Sequence, residues 1–352
     1  MPYPKTPNLQ LNKVDRSSPN TTLFNTKPLI DDNVDIIDAV IPLSNMARQA
    51  IINGNFDVWQ RGLTFTNPTS GSFTADRYRV SATPSGGTLP STISHSRQQS
   101  VPGEVSGANY FYRISISDAG TGFSSAAEYN LRQTIENGTR LLCGAGKKVT
   151  ISFYARSSIP NKKIGVFGFQ YYGSGGSPIE TLNGKNFTLS SNWMKYNVTL
   201  ITNSLTGKTF GDNDQLLIEF SIMWGAGNAA RVGDSIAETF GGAGNIDISQ
   251  VQLCAGDVAL SFQPRHFADE LALCQRYYEY LDIARVRYLD AASGVVFSRD
   301  FRPKRIAPTV TITTINGVAP TLDSARASSV SLVLTNAGIT DSTYTLKLDA
   351  EL

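Results

Sequence analysis

Ile51-Ile52-Asn53-Gly54-Asn55-Phe56-Asp57-Val58-Trp59-Gln60-Arg61-Gly62 opens a β-domain, and Phe73-Thr74-Ala75-Asp76-Arg77-Tyr78 echoes it a few residues on. An apolar pair, an Asn-Gly-Asn turn, then Phe56, Val58 and Trp59 predict a short strand with alternate side chains in a sandwich core. Everything before this stretch reads as an attachment leader, and everything after it as a recognition body.

The 352 residues allow two domains or one large sandwich with a small companion. Charged residues make up only 17%, against roughly 25% in an average soluble protein, and Gly numbers 30, so the surface is neutral and hydroxyl-rich. A net charge of +2 supplies no basic stripe for nucleic acid. No apolar run approaches the ~20 residues that span a bilayer, and Met1-Pro2-Tyr3-Pro4-Lys5 lacks the apolar core of a signal peptide. Synthesis in a cytosol without the usual secretory route is therefore expected. Cys143, Cys254 and Cys274 form no CxxC pair and read as buried thiols, and neither His95 nor His266 accompanies a nucleophile motif.

Residues 1–45 carry Pro2, Pro4, Pro7, Pro19, Pro28 and Pro42, which predict an extended segment. Within it, Val34, Ile37 and Ile41 recur at helical spacing behind an Asp N-cap, predicting a helix over 31–41 with one apolar stripe. From about residue 50 to 265 the chain reads strand after strand: 110–116, 149–156, 164–169, 193–200, 216–222 and 245–253, separated by Gly, Ser, Asn and Pro clusters. That pattern predicts an antiparallel jelly roll over 46–266, its last strand placed beside its first. Leu271, Cys274, Tyr277, Tyr278 and Leu281 share one helical face, predicting a linking helix over 268–281. The segments 295–303, 308–313, 329–334 and 344–348 then read as strands of a small C-terminal β-sandwich, so that 267–352 is a linking helix and tip. The fold class is thus all-β, with an extended leader.

Asn53-Gly54-Asn55-Phe56 at the mouth of a β-rich segment resembles the opening of jelly-roll carbohydrate-binding modules. The runs through Trp59-Gln60-Arg61-Gly62 and Ala75-Asp76-Arg77-Tyr78, then Ile248-Ser249-Gln250-Val251-Gln252-Leu253 with Gly256, Phe262-Gln263-Pro264-Arg265, Glu270 to Glu279 and Phe301 to Thr311, are similar in order and spacing to bacteriophage tail fibre and related virion proteins. The resemblance covers about residues 50–315. It departs from the family pattern at Cys254, where Glu is usual, and at Lys304-Arg305, where Met-Arg is usual. The resemblance implies a homotrimer located in the virion; residues 1–45 lie outside it, and their extended, Pro-rich character is read as the attachment to other virion proteins.

Sugars are held by flat aromatic faces and planar polar groups. Tyr171 and Tyr172 end one strand before a Gly/Ser loop and Trp224 ends another before Gly225-Ala226-Gly227-Asn228, so these three are the candidate glycan contacts at a sandwich rim; rim packing is the plainer reading. Trp193 is assigned to the core, and Trp59, Tyr78 and Asp76-Arg77 to the framework. Carbohydrate modules of the resembled kind hold a structural calcium between first and last strands, which makes Asp57 and Asp247 candidate ligands, against the reading of two solvated carboxylates. Glu128, Glu136, Glu180, Glu219 and Glu238 are scattered and form no recognisable acid pair, and Asp212-Asn213-Asp214 reads as a turn, so no enzyme is expected. Arg285, Arg287, Arg299, Arg302, Lys304 and Arg305 form a local basic excess that suits an acidic neighbour or an anionic polysaccharide.

These readings converge on a non-enzymatic virion protein that binds host cell-surface polysaccharide as a multivalent adhesin, without nucleic acid and without membrane insertion. The rivals are a head decoration, head-fibre or collar protein that binds no receptor, and a polysaccharide depolymerase.

Overall fold

A computed structural model describes residues 45–288, 295–334 and 340–352. The leader and its expected helix at 31–41 lie outside the described residues. Eleven strands form the larger unit: β1 (Thr64–Thr66), β2 (Tyr78–Thr83), β3 (Ile93–Gln99), β4 (Tyr110–Ile116), β5 (Glu128–Glu136), β6 (Lys148–Ser157), β7 (Lys163–Tyr171), β8 (Glu180–Thr188), β9 (Met194–Ile201), β10 (Gln215–Trp224) and β11 (Gly244–Ala255). They make a jelly-roll sandwich of a six-stranded sheet, β1-β3-β4-β11-β6-β9, and a five-stranded sheet, β2-β5-β10-β7-β8, every pairing antiparallel. Period-2 apolar residues of the two inner faces, such as Ile151, Phe153, Leu131, Ile218 and Phe220, interdigitate as one core.

The opening stretch is not the strand expected of it. Asn53 takes a left-handed conformation, φ 60°, and its side chain closes the loop on itself, donating to the Val58 and Asp76 carbonyls at 2.8 and 3.1 Å and accepting from Val58 N–H at 3.0 Å. Gly54 passes so close to the bulge in β11 that a Cβ there would collide with the Val251 carbonyl oxygen, which is why glycine stands at this turn. The chain does run beside the last strand of the sandwich: Ala50 N–H reaches Leu253 O at 3.1 Å and Val251 N–H reaches Gly54 O at 2.8 Å. Phe56, Trp59, Tyr78 and Tyr112 then plug one end of the core, Phe56 to Tyr78 at 4.8 Å and Trp59 to Tyr112 at 5.2 Å between ring centroids.

One polar chain threads this core. Thr74 Oγ1 bonds Tyr112 Oη at 2.6 Å, and His95 sits between Tyr112 Oη at 2.6 Å and Tyr129 Oη at 2.7 Å. Burial lowers the His95 pKa to about 3, so the ring is neutral and both nitrogens are satisfied.

The expected helix over 268–281 is shorter, Phe267–Gln275, and Tyr278 starts a strand instead. Two aromatic residues in succession favour extended chain, and Tyr277 is drawn out of helical register by stacking under Arg77, 3.5 Å from guanidinium carbon to ring centroid. The tip holds β12 (Tyr278–Tyr288), β13 (Val295–Asp300), β14 (Thr309–Asn316), β15 (Thr321–Ala325), β16 (Ser329–Leu334) and β17 (Thr340–Asp349) in two three-stranded sheets, β12-β17-β14 and β13-β16-β15. Its core is small: Val330, Leu332, Tyr344, Leu346 and Leu348.

A charged seam joins tip and sandwich. Arg77, 1% exposed in its side chain, pairs with Glu351 and donates to the Thr134 carbonyl at 2.6 Å. Arg61 lies 3.5 Å above the Tyr278 ring and reaches Glu351 at 3.2 Å. Arg276 meets Glu136 through paired bonds of 3.0 and 3.1 Å, and Tyr277 Oη donates to the same carboxylate at 2.8 Å. The apolar face expected on the linking helix is therefore used within the chain: Cys274, Tyr277 and Tyr278 are all buried. Lys304, part of the local basic excess, is likewise turned inward onto Glu279, and burial lowers its pKa.

Glu351→Ala leaves the buried Arg77 unpaired and is expected to cost about 3–5 kcal/mol in urea denaturation, with Arg77→Ala adding much less in the double variant than alone. A fully additive pair would show that the two groups do not act as a unit. For His95 the pKa is lowered on folding, so its stabilising effect is complete above the unfolded-state pKa and is lost as pH falls. The melting temperature is expected to drop between about pH 6.5 and 3, and His95→Gln, which takes up no proton there, should flatten that part of the profile.

Candidate glycan-binding face

Directly paired residues of an antiparallel sheet share a face, so the register of the five-stranded sheet fixes its outer surface. One row reads Arg79, Arg132, Glu219 and Phe167 across β2, β5, β10 and β7; its neighbour reads Ser81, Asn130, Ser221 and Gly165. Along β7, alternation puts Phe167, Phe169 and Tyr171 on that same face as an aromatic stripe. A 3-10 helix, Ala226–Val232, covers one end of the stripe by packing Ala229 and Val232 on Phe167 and Trp224. Gly165 is required beneath it, because a Cβ there would strike Val232.

Around a buried floor of Asn130, Glu219 and Ser221 stand the partly exposed side chains of Arg132, Glu128, Arg231, Phe169 and Tyr171. Arg132 Nε donates to Glu219, and Arg231 pairs with Glu128 at 3.1 Å. Burial raises the Glu219 pKa, opposed by Arg132 and reinforced by the charge of Glu128. Three buried polar atoms of this face have no hydrogen-bond partner among the described residues: Glu219 Oε2, Asn130 Oδ1 and Arg79 Nε. Each costs about 1–3 kcal/mol in that state; the two oxygens lack a donor such as a hydroxyl, and Arg79 Nε lacks an acceptor such as a hydroxyl or an anion.

The expected rim residues divide. Tyr171 lies on this face, half-buried. Tyr172 and Trp224 are corrected: they are 0% and 1% exposed and belong to the framework. Tyr172 points to the opposite side of the strand, where its hydroxyl donates to Glu180 at 2.5 Å, and Trp224 donates its indole N–H to Ile236 O at 3.1 Å while anchoring the 3-10 helix. Trp193, expected in the core, is instead half-exposed over the other sheet, edge-on to Phe111 at 5.3 Å and bonded to Glu104 at 3.1 Å. The calcium pairing of Asp57 and Asp247 is also corrected. Both Asp247 oxygens are taken by guanidinium groups, Arg113 at 2.7 and 2.8 Å and Arg156 at 2.9 Å, while Asp57 accepts from Asn55 at 3.2 Å. Among the described residues no group of three or more His, Cys, Asp or Glu is placed to hold a metal ion.

Arg132, Asn130 and Phe169 were not singled out in the sequence, and Glu219 was weighed there only as one of the scattered acids. The signal for Glu219 is a lone carboxylate inside Leu216-Leu217-Ile218-Glu219-Phe220-Ser221-Ile222, and for the stripe it is Phe-x-Phe-x-Tyr at the strand period.

No protein-family model and no curated protein matches the chain. Solved structures similar to part of it include one described as CBM4, at 19% identity and TM-score 0.33 over 58% of this chain and 98% of that one. A cellulose-binding domain from Cellulomonas fimi β-1,4-glucanase C is similar at 12% identity and TM-score 0.31, over 56% and 97% of the two chains. A cyclase from Fischerella sp. TAU is similar at 12% identity and TM-score 0.36, over 60% and 98%.

Trp224→Ala is expected to lower stability by about 3–5 kcal/mol and Tyr172→Phe by about 1–2 kcal/mol, whereas Tyr171→Ala should stay within about 0.5 kcal/mol. Urea midpoints of the three variants check the assignment; an unstable Tyr171→Ala would place that ring in the framework as well.

Proposed function

We propose that the sandwich binds glycan along the outer face of its five-stranded sheet, and that the chain is a virion appendage protein, a phage tail or head fibre, acting as a multivalent adhesin on host polysaccharide. The observation that carries the reading is the union, on one face, of an outward aromatic stripe with a charged row whose buried polar atoms lack partners. Phe169 and Tyr171 offer flat faces to C–H surfaces, and Asn130, Arg132 and Glu219 offer planar donors and acceptors to hydroxyls. The virion assignment is supported by the resemblance of residues 50–315 to tail fibre proteins, as is assembly into homotrimers, with residues 1–45 reaching other virion proteins. Copy number would then raise avidity by ~10² to 10⁴ over one site.

A non-enzymatic role is supported by the state of the acids. Glu128, Glu136, Glu180, Glu219 and Glu238 pair with Arg231, Arg276, Lys208, Arg132 and Lys162, so none of them stands as a lone carboxylate.

Binding of the full chain to a glycan array and to host cells, with light scattering for oligomeric state, tests the reading. The expected result is a trimer that binds glycan, with Tyr171→Ala and Phe169→Leu each weakening binding about tenfold, equivalent to about 1.4 kcal/mol, at unchanged oligomeric state. A trimer that binds neither glycan nor cells would transfer the role to a head decoration or collar protein, and release of reducing sugar would make the chain a depolymerase.

A further inference from the structure

Arg79 and Arg132 are direct cross-strand partners on the outer face, yet only Arg132 has a carboxylate. Like charges placed directly opposite are destabilising in a sheet. Arg79 makes no ion pair among the described residues, and its Nε is buried without a hydrogen-bond partner. Its guanidinium lies near the turn at Gly71, where an added Cβ would stand 3.6 Å from Arg79 Nη2, an ordinary contact distance. The backbone of that turn is fixed to β2 on both sides, by Gly71 N–H to Val80 O and Val80 N–H to Ser72 O, each at 2.8 Å. A planar fork of donors that shares its face with a second guanidinium and has no carboxylate of its own among the described residues suits a carboxylate or phosphate.

Resting on the glycan-binding reading above, we infer that the polysaccharide recognised by this face is anionic, and that its carboxylate or phosphate seats on Arg79 with Arg132 beside it. The sugar ring then lies over the floor of Asn130 and Ser221 toward the aromatic stripe on β7. Glu219 holds Arg132 in orientation and discriminates against a second negative charge deeper in the row.

The test uses the full chain and an array of galacturonate oligomers, their methyl esters and glycerol-phosphate-substituted neutral oligomers. The inference expects binding to the carboxylated or the phosphorylated set, at least tenfold weaker binding to the matched uncharged oligomers, and affinity that falls steeply with added salt. Arg79→Gln should lose at least tenfold on the charged set while its urea midpoint holds, and Arg79→Lys should recover only part, since an ammonium lacks the fork. Preference for the carboxylated over the phosphorylated set, or the reverse, names the source of the anion. Equal binding to charged and esterified oligomers with no effect of Arg79→Gln would overturn this inference and leave the glycan-binding reading in place. Binding to none of the sets or to host cells would overturn both.

Discussion

Everything at the junction of sandwich and tip depends on housing the guanidinium of Arg77. A buried cation is tolerable only when it is paired, and here it is met by the Glu351 carboxylate, the Thr134 carbonyl and the Tyr277 ring, with Nε left without a partner among the described residues. Those partners come from the last residues of the chain, from β5 and from the end of the linking helix. The requirement therefore dictates where the C-terminus returns, where the helix stops and how β17 is placed. Arg77 itself is left-handed, φ 72°, a conformation disfavoured for a long side chain and held by the Asp76-Arg77 turn around it. Arg61, stacked on Tyr278 and sharing Glu351, repeats the arrangement beside it.

The two outer faces of the sandwich follow different rules. On the six-stranded sheet, Asp247 is flanked by Arg113 and Arg156, and Glu104 closes the set by meeting both Arg156 and Trp193, so the charges there satisfy one another. On the five-stranded sheet the ledger is left open at Glu219, Asn130 and Arg79. Unmet polar groups of this kind are destabilising in the free protein and are offset when a ligand supplies the missing partners.

The fold was legible wherever burial on one face produced clean alternation. Segments that became β4, β6, β7, β9, β10 and β11 could be read because their apolar residues recur at the strand period. β3 and β5 escaped notice because their inward residues include His95 and Gln133, polar groups that pair inside the core and so break the pattern. The Asn-Gly-Asn stretch misled in the other direction: it has strand composition, but its residues serve a self-closing loop. At the site, Tyr171 could be found from a strand end, whereas Trp224 and Tyr172 shared that cue and were buried by the 3-10 helix that follows Trp224 and by Glu180 on the next strand, covers that no residue pattern announces. Arg79, Arg132, Asn130 and Glu219 come from three strands and are assembled only by sheet register.

Amide hydrogen exchange of the full chain, free and saturated with an oligosaccharide it binds, tests most directly whether the five-stranded sheet carries recognition. Protection confined to β2, β5, β7, β10 and the 226–232 helix is the predicted result. Protection over β4, β6 and β9, or in the tip alone, with the five-stranded sheet unchanged, would contradict the account.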